Sequence, residues 1–436
     1  MNAPFRLHAS LLTPLGKQHM DWHPHGAIVV DEHGRIVWRG EEAQLPESFL
    51  PLPEIRSPHV LLPGMIDAHV HLPQFDCRGK FGTSLLEWLD RFIYPEEMRF
   101  AEEVVARDVS RRFYDALITA GTTTAMVYAT VHEHATDIAF EEAERAGLRI
   151  ILGKLLMDRE APAELLEASA TGLAATERLI ERWHRKTPRL WYAVTPRFAL
   201  SCTPQLLAGA AEIAQRHDTY IQTHCNESGG EIARVRELFP DAAHYTDVYE
   251  TAGLLTPRTV LGHNIHTDDE QLSRLSAHDC SVVHCPDSNL FLGSGRFPIE
   301  QHEHHGVRFA LGSDVGAGTT LSMFHIMHAM SHVQARSLHP CQPLYHATLG
   351  GAAALGLQDS IGSLDVGKEA DIVEVEIEQR FCRGKRLQDL SAQEIASVLV
   401  YRSANQQVGR VWVGGINVRS HGSAREAVSE FVLTGA

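Results

Sequence analysis

The stretch Pro63-Gly64-Met65-Ile66-Asp67-Ala68-His69-Val70-His71 decides how the sequence is interpreted, because an apolar run in it ends in His-x-His. Side chains two apart on a β-strand share a face and lie roughly 6.6 Å apart, so both imidazoles can reach one metal ion. Two similar triplets, His132-Glu133-His134 and His302-Glu303-His304, do not follow a buried strand. We expect those two triplets to be exposed to solvent.

From residue 63 onward, apolar strand-like runs alternate with amphipathic helical patterns, including 101–120, 140–146, 204–217 and 268–277. This alternation is typical of repeated βα units and a parallel sheet. Eight units over about 250 residues predict an α/β fold, a (β/α)8 TIM-type barrel, with a doubly wound sheet as the main alternative. The predicted strands span 65–71, 122–129, 149–156, 190–196, 219–224, 259–263, 280–284 and 308–313.

Both ends of the chain are rich in short strands and turns. Ala27–Asp31 and Arg35–Trp38 flank a Glu-His-Gly turn and predict a hairpin. Strand and turn signals return at 362–373 and 409–415, after a last predicted helix near 343–356. We therefore divide the chain into the N-terminal part of a small β-domain (1–62), the barrel (63–362) and the C-terminal part of the β-domain (363–436).

Composition excludes several classes of function. The 436 residues carry 39 Lys and Arg against 55 Asp and Glu, a net charge of −16, which disfavours nucleic acid as a partner. We expect no membrane association either, because the apolar runs are too short to span a bilayer. The seven cysteines are scattered without a C-x-x-C pair, and the start of the chain lacks secretory features. A cytoplasmic protein with reduced, mostly buried cysteines is the expectation.

Three further polar residues end predicted barrel strands: His224, His263 and Asp314. The carboxyl ends of parallel strands meet at one face of a barrel, where such barrels carry their chemistry. Together with the His-x-His pair these residues provide a nitrogen and oxygen donor set suited to a catalytic zinc-type site. The donors alone do not distinguish zinc from iron or manganese.

These landmarks resemble the amidohydrolase superfamily, whose metal-dependent (β/α)8 barrel carries a β-sandwich formed by both termini. The resemblance rests on Pro-Gly-x-Ile-Asp-x-His-x-His at 63–71, Gly-Ser-Asp at 312–314 and the return motif at 362–373. Binuclear members bridge two metals with a Lys at the end of the fourth strand, but the predicted fourth strand, 190–198, contains none. The resemblance therefore implies one divalent metal, with zinc expected, bound by His69, His71, His224 and Asp314.

Within this superfamily, the segments 71–74, 85–89, 94–97, 195–198 and 223–227 resemble the members that deaminate guanine. The resemblance implies that Gln74, Arg197 and Phe198 hold the base, and that Glu227 both contacts the substrate and moves protons. It assigns catalysis to Glu227, His263 and Asp314, with His263 beside the reactive water. Leu86 and Trp88 are candidates for the pocket wall, although Trp88 fits a core position equally well.

The implied reaction is hydrolytic deamination of guanine to xanthine and ammonia by a metal-activated water. The implied partners are a small purine substrate and a second copy of the chain in a homodimer. A deaminase or hydrolase of the same mononuclear branch, acting on 8-oxoguanine, adenosine-like nucleosides, cytosine or a chlorinated triazine, is the nearest alternative. A non-enzymatic scaffold that has lost its metal is an alternative of another class.

Overall fold

The computed structural model describes residues 2–82, 84–378, 382, 384–402 and 407–419. Its strands follow the chain in two groups, one from the termini and one from the middle. The strands are β1 (Phe5–Gly16), β2 (His19–Val30), β3 (Ile36–Glu41), β4 (Glu54–Pro63), β5 (Met65–His71), β6 (Thr122–Tyr128), β7 (Arg149–Gly153), β8 (Leu155–Leu156), β9 (Leu190–Pro196), β10 (Tyr220–Cys225), β11 (Thr259–His263), β12 (Ser281–His284), β13 (Arg308–Leu311), β14 (Ile372–Glu376), β15 (Gln407–Val413) and β16 (Ile416–Arg419).

Helices separate the middle strands and cover the outside of their sheet. They are α1 (Leu85–Trp88), α2 (Tyr94–Met98), α3 (Glu103–Ala120), α4 (Glu133–Ala146), α5 (Ser169–Trp183), α6 (Pro204–His217), α7 (Gly229–Leu238), α8 (Tyr245–Thr251), α9 (Asp269–Ala277), α10 (Pro286–Phe291), α11 (Ile299–His304), α12 (Met323–His332), α13 (Cys341–His346), α14 (Leu349–Ala354) and α15 (Ala392–Tyr401). A π-helical turn, Leu89–Ile93, joins α1 to α2.

The middle strands form a parallel barrel in the order β13-β12-β11-β10-β9-β7-β6-β5, with β8 paired to β9. Backbone hydrogen bonds of 2.8 Å from Asp314 N to His69 O and from His71 N to Val315 O join its two ends. Most strand residues are buried because side chains fill the interior and helices cover the exterior. The predicted (β/α)8 barrel is confirmed, and the doubly wound sheet is wrong.

The terminal strands form one separate seven-stranded sheet, in the order β16-β15-β14-β4-β1-β2-β3. The hairpin predicted around the Glu-His-Gly turn is present, since β2 pairs antiparallel with β3. Side chains from both halves of the sheet, including Phe5, Ile28, Ile36 and Trp412, share a small buried core. The association of the two termini is therefore confirmed, while the boundaries at 62/63 and 362/363 stay a prediction.

Element boundaries differ from the sequence prediction at a few places. The predicted strand 149–156 is interrupted at Lys154, whose buried ammonium pairs with Glu167. The helix predicted over 140–146 begins seven residues earlier, at Glu133, because its first turns bury small and polar residues such as Ala135 and Thr136, which give a weak apolar pattern. The C-terminal part, predicted as strands and turns, also contains α15, which packs against α12 and α13.

Two further expectations concern cysteines and membranes. All seven cysteines are free and buried, as predicted. In the described part of the chain, no helix combines the length and the apolar character that crossing a membrane requires.

Candidate active site at the mouth of the barrel

Most of the predicted site residues meet in one cleft of about 360 Å³ at the carboxyl ends of the barrel strands. These residues lie near or just past the ends of their strands, so the parallel arrangement brings together residues far apart in sequence. The cleft is lined by His71, Gln74, Leu85, Trp88, Leu89, Arg197, Phe198, His224, Glu227, His263, Leu292, Asp314 and Ala317.

Four donor atoms converge at the bottom of the cleft. His71 Nε2 lies 3.2 Å from both His69 Nε2 and His224 Nε2. Asp314 Oδ1 lies 3.3 Å from His69 Nε2 and 3.3 Å from His71 Nε2. Donors about 2.0–2.1 Å from a tetrahedral zinc are separated by about 3.3 Å. The spacing of these four atoms therefore fits a single small cation.

The hydrogen bonds around the cluster also fit a cation. His224 Nδ1 donates to the Arg197 carbonyl over 2.7 Å, which leaves the Nε2 lone pair facing His71. Burial lowers the pKa of His71 to about 3 and holds the pKa of His224 well below its usual value. Neutral imidazoles whose lone pairs face one another need a cation between them, and a backbone carbonyl behind a ligating imidazole is the usual outer partner.

Asp314 stays ionised inside this cluster. Burial acts to raise its pKa, but hydrogen bonds with His69 and His71 hold the pKa well below the usual value for an aspartate. Its Oδ2 accepts a 2.5 Å hydrogen bond from Ser288 Oγ and lies 3.7 Å from His263 Nε2. A donor atom of His263 also lies within 4.8 Å of those of His69, His224 and Asp314. The shorter separations favour His71 over His263 as the fourth ligand.

Two glycines make room for the cluster. A Cβ on Gly262 would lie 2.6 Å from the His69 ring, and one on Gly312 would lie 2.8 Å from His69 Cβ. Real Cβ atoms do not approach so closely, so Gly precedes both His263 and Ser313-Asp314 for steric reasons. This need for space beside His69 explains the glycine of the Gly-Ser-Asp motif.

The backbone turns sharply where the site residues leave their strands. Asn226, His263 and Asp314 have φ values of 53°, 67° and 49°. Non-glycine residues in this left-handed region cost about 1–3 kcal/mol each and cluster at functional sites. Asp67 supports one of these turns, since its Oδ1 accepts from Ser313 N over 2.9 Å.

Glu227 and His263 face each other above the donor cluster. Glu227 Oε2 lies 3.5 Å from His263 Nε2, and Glu227 Oε1 accepts from Ser294 Oγ over 3.2 Å. Burial, with the nearby Asp314 charge, raises the pKa of Glu227 to about 8. His263 Nδ1 lies 3.0 Å from Asn289 Oδ1 and donates to it, so Nε2 is the ring nitrogen that faces Glu227. A buried carboxyl group with a raised pKa therefore stands beside an imidazole.

The opposite wall of the cleft carries Gln74 and Arg197. Both contact the buried carboxylate of Glu97: Gln74 Nε2 donates over 3.0 Å, and Arg197 Nη1 donates over 2.9 and 2.7 Å. Gln74 Oε1 accepts from Gly316 N over 3.4 Å. The orientation of both side chains is thus fixed in the absence of a ligand.

Apolar residues close the remaining sides. Phe198 is buried and packs against the His224 ring, with centroids 6.1 Å apart. Trp88 lines the cleft and is also a buried core residue, with its indole N–H donating to the Lys80 carbonyl over 2.7 Å. Leu86 lies outside the lining, because 85, 88 and 89 share one helical face and 86 points about 100° away.

The structure corrects one further sequence-based expectation. His302, predicted to be exposed, is fully buried and stacks on Phe297 with ring centroids 4.2 Å apart. His134 and His304 are exposed as expected, while His132 is half-buried. His302 is buried because α11 places every third or fourth residue against the barrel, a periodicity that the triplet alone does not show.

Sequence reasoning missed the residues that orient the site from behind. Ser288, Asn289 and Ser294 contact Asp314, His263 and Glu227 respectively. Tyr128, at the end of β6, packs on the rings of His69, His71 and His224. Only the position of Tyr128 at a strand end was a usable signal, since the others lie in segments without a distinctive pattern.

Comparison with known proteins agrees with this geometry. The Amidohydrolase family profile matches residues 60–418. The chain is 39% identical to the guanine deaminase of Escherichia coli over 357 residues, covering 80% of this chain and 81% of the relative. It is 40% identical to a probable guanine deaminase of Deinococcus radiodurans, covering 89% and 92%.

A solved structure agrees with these sequence comparisons. The guanine deaminase of C. acetobutylicum, determined with guanine bound in its active site, superimposes with a TM-score of 0.88 at 26% identity, covering 95% of this chain and 99% of the other. The family profile covers the barrel and the C-terminal strands from residue 60 onward, and the solved structure aligns with 95% of this chain. The chain belongs to the amidohydrolase family.

Proposed function

We propose that this protein hydrolyses guanine to xanthine and ammonia. The observation that carries the proposal is the position of Glu227, a buried carboxyl group 3.5 Å from His263 in the same cleft as the four-donor cluster and the Gln74–Arg197 wall. A deaminase needs a cation site, a proton carrier and a base-recognising wall in one cleft. The guanine deaminases with which the chain shares 39–40% identity support guanine as the base.

His69, His71, His224 and Asp314 would hold the divalent cation, and zinc is the ion that we propose. Three imidazole nitrogens and one carboxylate oxygen at these separations suit a tetrahedral ion with borderline ligand preference. When bound, such a cation supplies Lewis-acid charge that makes water a nucleophile near neutral pH.

The chain's own residues then account for the proton transfers. His263 and Asp314 orient the attacking water and take its proton, while its oxygen bonds to the ring carbon that bears the exocyclic amine. Glu227 gives its proton to the adjacent ring nitrogen, producing a tetrahedral carbon. Glu227 next carries a proton from the new hydroxyl group to the amine, the C–N bond breaks, and ammonia leaves as the carbonyl of xanthine forms. The proton taken from the water then passes from His263 to Glu227, 3.5 Å away, which restores the starting state. Transfers of this kind typically contribute 10²–10⁴-fold.

Recognition of the base follows from the donors that remain available. Guanine presents a carbonyl oxygen and ring nitrogens as acceptors, which suit the guanidinium of Arg197. The amide of Gln74 both donates and accepts hydrogen bonds. Phe198 covers the face of the ring. Leu85, Leu89 and Trp88 exclude water from the other side of the cleft.

The test combines metal analysis with a substrate panel. Purified protein should contain about one divalent ion per chain. It should convert guanine to xanthine, measured by the change in absorbance, and release one ammonia for each guanine. Ammonia release from 8-oxoguanine, adenosine, cytosine or a triazine in preference to guanine would favour the alternative deaminases. A protein that neither binds metal nor releases ammonia from any of these compounds would be the inactive scaffold.

Three broader proposals accompany this function. We propose a homodimer on the basis of the family resemblance. We propose a cytoplasmic location, because seven free, buried cysteines suit a reducing compartment. We also propose that residues 63–362 form the catalytic domain, with 1–62 and 363–436 as the two parts of the β-domain.

A further inference from the structure

The buried carboxylate of Glu97 is a charged group beside the cleft that the proposed reaction does not use. Glu97 lies on α2 directly after the π-helical turn, and only 1% of its surface is exposed. It contacts Arg197 Nη1 through both oxygens and Gln74 through one. Glu97 is absent from the cleft lining, whereas Arg197 and Gln74 belong to it. Glu97 therefore acts on a ligand through these two residues.

The charges explain why a carboxylate stands there. Arg197 is 3% exposed, and among the described residues that line the cleft it is the sole Lys or Arg. An uncompensated guanidinium in a buried cleft would attract anions strongly, since a charge acts with little screening there. Glu97 balances this charge while leaving the other guanidinium nitrogens outside the ion pair. The wall can then donate hydrogen bonds without a net positive charge.

We propose that Glu97 is a specificity-determining positioning residue that makes the cleft favour a neutral base over an anionic one. The inference rests on the proposed function and extends it to the product. Xanthine carries a carbonyl where guanine carries an amine, so its ring N–H groups are more acidic and it forms a monoanion more readily. Glu97 thus disfavours the ionised product relative to the neutral substrate, which limits product inhibition.

The decisive measurement is the ratio of the inhibition constant of xanthine to the KM of guanine, at one pH where xanthine is largely ionised and guanine is neutral. Glu97→Gln keeps the shape and a hydrogen bond to Arg197 but removes the negative charge. Xanthine should inhibit this variant more tightly while guanine binds more weakly. One unbalanced charge in the wall of the cleft should lower the ratio roughly 10- to 100-fold.

A matched control lies one residue away on the same helix. Glu96→Gln removes the same charge, but Glu96 pairs with the exposed Arg99, and neither residue lines the cleft. Its ratio should stay within about threefold of the unaltered protein, because Glu96 contacts neither Arg197 nor Gln74 in the described structure. An equal fall in Glu96→Gln and Glu97→Gln would overturn the proposal, since it would reflect overall charge.

A second variant changes the charge in the opposite direction. Arg197→Gln leaves Glu97 unbalanced, so the ratio should rise, even though guanine also binds more weakly. This variant decides the question if Glu97→Gln does not fold, and an unchanged or lower ratio would overturn the proposal. An unchanged ratio in a folded Glu97→Gln variant would also overturn the proposal. Absence of guanine turnover in the unaltered protein would instead refute the proposed function, a separate result.

Discussion

Replacing Glu227 by Gln tests the assignment of the proton carrier directly. Gln has nearly the same shape as Glu. In the unaltered protein Ser294 Oγ donates to Glu227 over 3.2 Å, and the amide oxygen of Gln can still accept this hydrogen bond. The four donors of the cation site do not include Glu227, so metal content should not change. Base binding should also persist, because Gln74 and Arg197 are held by Glu97 on the opposite wall. The change therefore removes proton transfer and little else.

The magnitude follows from the position of the carboxyl group. Glu227 is buried, and burial together with the nearby Asp314 charge raises its pKa to about 8, which favours the protonated carboxyl group that the proposed reaction needs at its start. Removing a positioned general acid and base typically costs 10²–10⁴-fold. This range corresponds to about 2.7–5.4 kcal/mol of activation free energy. We expect kcat for guanine to fall by that factor while KM stays within about threefold.

Steady-state conversion of guanine to xanthine, with metal content measured on the same samples, checks the prediction. Ser294→Ala is the matched control, since it removes a hydrogen bond to Glu227 but leaves the carboxyl group. A single such bond contributes about 0.5–1.5 kcal/mol, so kcat should fall at most about tenfold. If Glu227→Gln turned over guanine at a rate close to that of Ser294→Ala, the assigned proton carrier would be wrong.

Three further predictions address the cation, the base and pH. Chelation, or His69→Ala, should remove the metal and the activity, and re-addition of zinc should restore activity only in the chelated protein; activity that survives complete metal removal would contradict the four-donor site. Arg197→Ala should raise the KM of guanine by about 10-fold or more, because a hydrogen bond from a charged donor contributes about 1.5–3 kcal/mol; an unchanged KM would place Arg197 outside the binding site. Because Glu227 must start protonated, kcat/KM should fall as pH rises through the pKa of Glu227. The fall should lie at or below pH 8, since a bound cation lowers that pKa. The pH-rate profile of Glu227→Gln should lack this fall.

The fold was predictable because its signals are local and repeated. The strands at 65–71, 190–196 and 259–263 match the prediction to the residue, since each is an apolar run bounded by turn or polar residues. Helix α6 also matches, because Thr203 caps its start and Pro204 occupies its first position. Prediction failed where a tertiary contact overrides the local pattern, as at buried Lys154 in the third barrel strand.

The candidate site was predictable in part. Five residues lie near or just past the carboxyl end of a strand: His69, His71, His224, His263 and Asp314. A parallel barrel necessarily brings strand ends together. The role of Glu97 was not predictable, since an acidic residue in a helical segment usually indicates a solvated face. Only the packing of α2 over the barrel mouth turns it inward against Arg197. The prediction named Leu86 for the pocket wall, whereas the neighbouring Leu85 lines the cleft, because the sequence does not give the orientation of the helix.

The sequence by itself determined which residues end the barrel strands, and hence which donors stand at its mouth, because strand periodicity and glycine placement are encoded locally. The tertiary structure alone decided how those donors are paired, protonated and charged. Distances such as 3.2 Å between His71 and His224, 153 positions apart, depend on the closure of the whole barrel. The balance of charge between Glu97 and Arg197, 100 positions apart, likewise exists only after folding removes both groups from water.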